Sequence, residues 1–161
     1  MKARGFTLIE LLVVVTILGV LASIVLTSLN SARIKSRDGK RQGDLGELQK
    51  ALELYNTQNG SYPNPNAACG GSTNDAYSSW ACWSTLLSST YIPRMPVDPQ
   101  NLDLGNCGGT AGCHIYHYCV YNNNQNYVLS VNLENPAVGG NTTNNSNCPV
   151  GGPNYYWVGS Q

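Results

Sequence analysis

A single carboxylate, Glu10, interrupts the apolar run "KARGFTLIELLVVV" at residues 2–15. A charge there has chemistry only if a cation meets it in low dielectric, since an isolated carboxylate inside a membrane span costs about 2.5–3.5 kcal/mol. Six cysteines, Cys69, Cys82, Cys107, Cys113, Cys119 and Cys148, form the second reactive set, and His114 and His117 lie among them. An even cysteine count in a loop-rich segment after a membrane-like stretch reads as a disulfide set in an oxidising compartment. A metal centre is the weaker reading, because no C-x-x-C pair occurs. His114 and His117 fall three apart on a strand-like segment and so face opposite sides. Proximity favours Cys69 with Cys82 and Cys107 with Cys113, which leaves Cys119 with Cys148. There is no G-x-S-x-G, no glycine-rich phosphate loop between strand and helix, and no H-E-x-x-H. No catalytic residue, no metal and no cofactor is expected, and the chain reads as a non-enzyme.

Charge is balanced overall but not along the chain. Eight of the nine Lys and Arg lie in residues 1–50, while from Tyr55 onward Arg94 stands against Asp75, Asp98, Asp103 and Glu134, a net charge of −3. Phosphate neutralisation needs clustered cations, so nucleic acid is not an expected partner of this part. The basic run "RIKSRDGKR" (33–41) has no interleaved aromatic residues and reads as a solvated helix face near anionic lipid.

Three elements must position these groups. Phe6 to Leu29 is apolar and, as a helix, about 36 Å long at ~1.5 Å per residue, enough to span a bilayer core of ~30 Å. Residues 30–58 contain no proline, and Leu45, Leu48, Leu52 and Tyr55 form one helical stripe. Gly39, Gly43 and Gly46 weaken that helix, each by about 1 kcal/mol relative to alanine. Asn59-Gly60 and then Pro63 end it. Residues 59–161 read as a head containing strands. "HIYHYCVY" (114–121) and "YVLSVNL" (127–133) are joined by "NNNQN" (122–126) as a hairpin, "YYWV" (155–158) supplies a third strand, and "WACWSTLL" (80–87) forms a short helix or loop packed by its tryptophans. The fold class is α+β, a long helix whose C-terminal half packs on an antiparallel sheet of three or four strands with disulfide-stapled loops.

Topology poses a problem that composition does not solve. Lys2 and Arg4 precede the span and Arg33, Lys35, Arg37, Lys40 and Arg41 follow it, so the positive-inside count would leave the cysteines in the cytoplasm. The stretch "RGFTLIELLVVVTILGVLASIVL" resembles the N-terminal signature of type IV prepilins and type II secretion pseudopilins. That resemblance implies a leader, residues 1–5, removed by a prepilin peptidase after Gly5, and methylation of the new amine at Phe6. It implies that residues 6–29 remain as anchor and assembly helix, that 30–58 continue this helix, and that 59–161 form the pilin head. Glu10 becomes the fifth residue after the cut, and the resemblance implies that it pairs with the Phe6 amine of a neighbouring subunit and sets assembly register. "NGSYPN" and "YIPRMPVDP" (91–99) look like segments of major pseudopilins, in which the following loop continues with Trp-Gly and builds a calcium site. Here "QNLDLGNC" follows with few acids. Asp98 and Asp103 fall short of the six or more oxygens calcium takes, so no metal is expected.

The expected function is a structural subunit of a type IV pilus. It would enter the bacterial inner membrane as a single-pass prepilin and polymerise into a helical homo-oligomer at the cell surface with the pilus or secretion machinery. A type II secretion pseudopilin, a DNA-uptake pilin and a monomeric membrane-anchored binding module are the alternatives.

Overall fold

The computed structural model describes residues 6–69, 74–77, 81–87, 89–101, 114–135, 148 and 155–159. Contacts divide the chain into two compact units, residues 1–36 and 37–161. Helix α1, Leu8–Asn59, is continuous over 52 residues. Thr7 stands just before its first turn as N-cap, and a proline-free run of leucine, valine and isoleucine carries it forward. It ends one residue beyond the expected 58. There Gly60 adopts φ 72° and its N–H reaches the Asn56 carbonyl at 2.7 Å. Glycine takes that left-handed conformation without steric cost.

In the first unit the described apolar side chains of α1 all face outward, Leu8 being 82% exposed. Its hydroxyls bond back to their own helix, Thr16 Oγ1 to the Val13 carbonyl at 2.8 Å and Ser23 Oγ to the Val20 carbonyl at 2.7 Å. These bonds satisfy the hydroxyls within the helix itself.

The second unit is the head. A short helix α2, Pro65–Cys69, and strand β1, Asp75–Tyr77, precede a 3₁₀ turn at Ala81–Thr85. Strands β2 (Tyr116–Tyr121), β3 (Asn126–Asn132) and β4 (Tyr155–Gly159) complete a four-stranded antiparallel sheet in the order β1-β2-β3-β4. The two central strands and β4 fall within a residue or two of the sequence-based segments. Strand β1 was not singled out, because "DAY" is too short to show alternation.

Register puts Tyr116, Tyr118 and Val120 of β2 beside Val131, Leu129 and Tyr127 of β3. That face packs with Leu45, Leu48, Ala51 and Leu52 of α1 in one core, closed by Trp83, Leu87 and Met95. The expected stripe is therefore the buried face of the helix. Fully burying a leucine contributes about 1.5–3 kcal/mol, so Leu45, Leu48 and Leu52 supply much of the attachment. The opposite sheet face holds a smaller cluster of Cys119, Val128 and Cys148.

Among the described residues two disulfides staple the head, Cys69–Cys82 and Cys119–Cys148, with Cα separations of 5.0 and 6.0 Å. These are two of the three pairings that proximity favoured. Cys107 and Cys113 lie outside the described residues, as do Gly5, Asp103 and Trp80.

The β2–β3 turn is tighter than expected, at residues 122–125, and Asn122, Asn123 and Asn124 all have positive φ. Asparagine tolerates that region better than most residues. The turn also closes the helix end, since Tyr62 N–H donates to the Asn124 carbonyl at 2.8 Å and Gln125 Nε2 to the Gly60 carbonyl at 3.1 Å.

Candidate assembly site

The N-terminal site begins at Phe6, which is 83% exposed. Glu10 has a partner in its own chain. Thr7 donates from its N–H at 2.9 Å and its hydroxyl at 2.7 Å to Glu10 Oε2, and Glu10 N–H points back to Thr7 Oγ1 at 3.4 Å. This is a capping box, T-x-x-E, in which cap and third helical residue satisfy each other's free donors. "TLIE" spells it in the sequence, and sequence reasoning passed over it by treating Glu10 only as a charge needing a cation. The carboxylate thus sits in the first turn of α1, where the helix dipole also favours a negative charge. Behind it, one 18-residue window of α1 reaches a mean hydropathy of 2.8 with none of it buried. By length and composition this helix can cross a membrane.

The second arrangement fixes α1 to its head. Within the run 33–41 Arg33, Lys35 and Lys40 are exposed as a solvated basic face would be, and the reading is corrected for Arg37, which is half-buried, and for Arg41. Arg41 is fully buried and Asp38 nearly so. Arg41 Nε and Nη2 meet Asp98 Oδ2 and Oδ1 at 2.7 and 3.1 Å, a bidentate pair. Its Nη1 reaches Asp38 Oδ1 and Glu134 Oε1, each at 2.7 Å, and Nη2 reaches Gln100 Oε1 at 3.0 Å. Arg37 clasps Glu134 through Nε at 2.6 Å and through Nη2. Asp38 also accepts the backbone N–H groups of Glu134 and Asn135, at 3.0 and 2.9 Å.

The Arg37 hydrogen bonds, more than those of Arg41, hold the Glu134 carboxyl down to about 2 from an ordinary 4.5, although burial pulls it the other way. Burial alone would lower Arg41, but its hydrogen bonds to Asp98, Glu134 and Asp38 outweigh this and raise it. Charged-to-solvent segments are often read from sequence as exposed. The signal that was available here is spacing, because Asp38, Arg41, Leu45, Leu48 and Leu52 share one helical face.

Two further carboxylates of α1 act in the same way. Tyr116 donates its hydroxyl to Asp44, and burial followed by that neighbour raises Tyr116 far above the ordinary tyrosine value. Tyr62 and Tyr127 donate to Glu53 at 3.0 and 3.1 Å. Asn59, which begins an N-x-S triplet, spends its side-chain amide on the Tyr55 carbonyl and the Tyr91 hydroxyl.

On the far sheet face His117 lies between Asp75 (Nε2–Oδ1 2.8 Å) and Ser130 (Nδ1–Oγ 3.3 Å). The trio has the residue types of a hydrolytic triad, but Ser130 is wholly buried. It ties β1, β2 and β3 together. His114, on the other side, bonds the Asn132 carbonyl.

The likeness to major pseudopilins implies calcium, and Asp98 is the candidate ligand among the described residues. Asp98 Oδ1 takes Arg41 and the N–H groups of Gln100 and Asn101, and Oδ2 takes Arg41 again. A cation that prefers six to eight oxygens finds Asp98 already committed to a guanidinium. Asp98 does not fit calcium.

Residues 1–26 match the family model described as the prokaryotic N-terminal methylation motif. The chain is 36% identical over 102 residues to the type II secretion system core protein G of Escherichia coli, covering 63% of this chain and 70% of that protein. The Klebsiella pneumoniae core protein G is likewise 36% identical over 102 residues, with 63% and 72% covered. The type IV wide pilus major component PilA4 of Thermus thermophilus is 39% identical over 67 residues, 42% of this chain and 51% of that protein. No solved structure matches the chain. An apolar helix carrying a small disulfide-stapled sheet, behind a methylation motif, defines a membrane-anchored filament subunit. The chain belongs to the type IV pilin and type II secretion pseudopilin family.

Proposed function

We propose that a prepilin peptidase cuts this chain after Gly5 and methylates the amine of Phe6, leaving residues 6–29 as anchor and filament core. Before assembly the chain is a single-pass protein of the bacterial inner membrane. It then polymerises by burying its apolar helix against copies of itself. The observation that carries this reading is the exposed apolar half of α1, most of it within a matching methylation motif. Glu10 meets the Phe6 amine of a neighbouring subunit, so each new subunit docks at one axial register. Thr7 aims the carboxylate at the helix N-terminus where that amine arrives. Such a pair in low dielectric offsets the desolvation of both ions.

The filament is a surface-exposed type IV pilus, a reading supported by a head stapled through its loops, since a small core gains from covalent ties in an exposed fibre. The second reading, a type II secretion pseudopilus, is favoured by the core protein G likeness, which extends over 102 residues. Mass spectrometry of the membrane-extracted protein checks processing, with a methylated Phe6 terminus expected and an uncut Met1 terminus contrary. Electron microscopy of cells expressing the chain then separates the two machines. Long surface fibres bearing this subunit support the pilus, and their absence alongside loss of protein secretion on deletion supports the pseudopilus.

A further inference from the structure

We propose that Arg41 is a built-in cation of the head: its guanidinium gathers the surrounding carboxylates as a bound divalent ion would, and the head therefore folds without one. Five oxygens from four residues converge on this group, both of Asp98, one each of Asp38 and Glu134, and Oε1 of Gln100. They come from three stretches far apart in sequence, namely α1, the loop at 98–101 and the segment after β3. Without a central positive charge, three carboxylates packed this closely would repel, and the segments bearing them would separate.

Arg37 supplies the second positive charge through Glu134, so two guanidiniums face three carboxylates. A divalent ion entering the same place would have to displace a fully buried, covalently attached cation. Elsewhere in the head Asp44 accepts from Tyr116, Glu53 from Tyr62 and Tyr127, and Asp75 meets His117, while Asp103 is the sole acidic residue between 102 and 113 and none occurs between 136 and 161. Hard divalent cations favour such carboxylates. The inference does not depend on which filament the chain builds.

The test uses the full-length chain in detergent micelles, with unfolding of the head followed by tryptophan fluorescence in chelator and in millimolar calcium or magnesium. The expected midpoints agree within about 1 °C, whereas an ion held at roughly a hundred times its Kd would raise the midpoint by several degrees. A calcium- or magnesium-dependent rise of that size overturns the proposal. In a second arm, Arg41→Ala lowers the midpoint and millimolar methylguanidinium restores part of it, while Leu48→Ala on the same helix face gains nothing from that ion. An Arg41→Ala midpoint equal to the unmodified chain, or equal rescue of both variants, also overturns it. If Arg41→Ala does not fold, the comparison of chelator with divalent ions on the unmodified chain decides.

Discussion

Residues 8–29 and residues 38–55 belong to one uninterrupted helix, yet they meet their surroundings in opposite ways. In the first stretch the leucines, isoleucines and valines are exposed, and the hydroxyls of Thr16 and Ser23, like that of Thr7 just before it, bond within three residues. In the second stretch Leu45, Leu48 and Leu52 are buried, and Asp38, Asp44 and Glu53 bond residues from nine to 97 positions away. The first half has settled its backbone and small polar groups but not its apolar surface, so that surface needs lipid or other subunits. The second half has settled both within the chain, save for Leu54, which is exposed. A substitution in one half should therefore affect assembly, and in the other the stability of the head, with little crossing over.

The largest effect on stability outside the ionic cluster is expected from Leu48→Ala. Truncating a leucine in a packed core costs about 2–5 kcal/mol, which chemical denaturation of the head would register. A cost under about 1 kcal/mol would mean that α1 is not held by its apolar stripe.

Acid should act next on the stability of the head. Glu134 is held to about 2 in the folded chain against an ordinary 4.5, so its contribution is complete above 4.5 and is lost as pH falls towards 2. Unfolding midpoints measured across that window should decline, and Glu134→Gln should flatten the decline while lowering the midpoint at neutral pH.

The smallest effect is a gain. A methyl group added at Gly43 meets nothing within 4 Å, so Gly43→Ala should stabilise the head by roughly 0.8–1 kcal/mol through helix propensity. If the same change reduces filament yield, that open helix face takes part in packing between subunits.

How much of this was legible in the sequence differs between the halves for a physical reason. The apolar span from Phe6 and the Asn-Gly stop are local patterns, and they placed α1 to within two residues at either end. The stripe Leu45, Leu48, Leu52 and the strands around Tyr118 and Leu129 were likewise visible as periodicity. Arg41 was misread because its partners Asp98 and Glu134 lie 57 and 93 residues away, and long-range charge pairing leaves no local period. Strand β1 is defined by its register against β2, Ala76 opposite Tyr118, rather than by its own three residues. The capping role of Glu10 was present in the sequence as a four-residue motif, hidden behind a more conspicuous charge.

Glu10→Ala examines the division between the two halves most directly, with head unfolding and filament yield measured on the same preparation. The account predicts an unchanged head midpoint, because the Glu10 bonds stay within the first turn of α1, together with loss of filaments. Filaments at normal yield from Glu10→Ala subunits would contradict it.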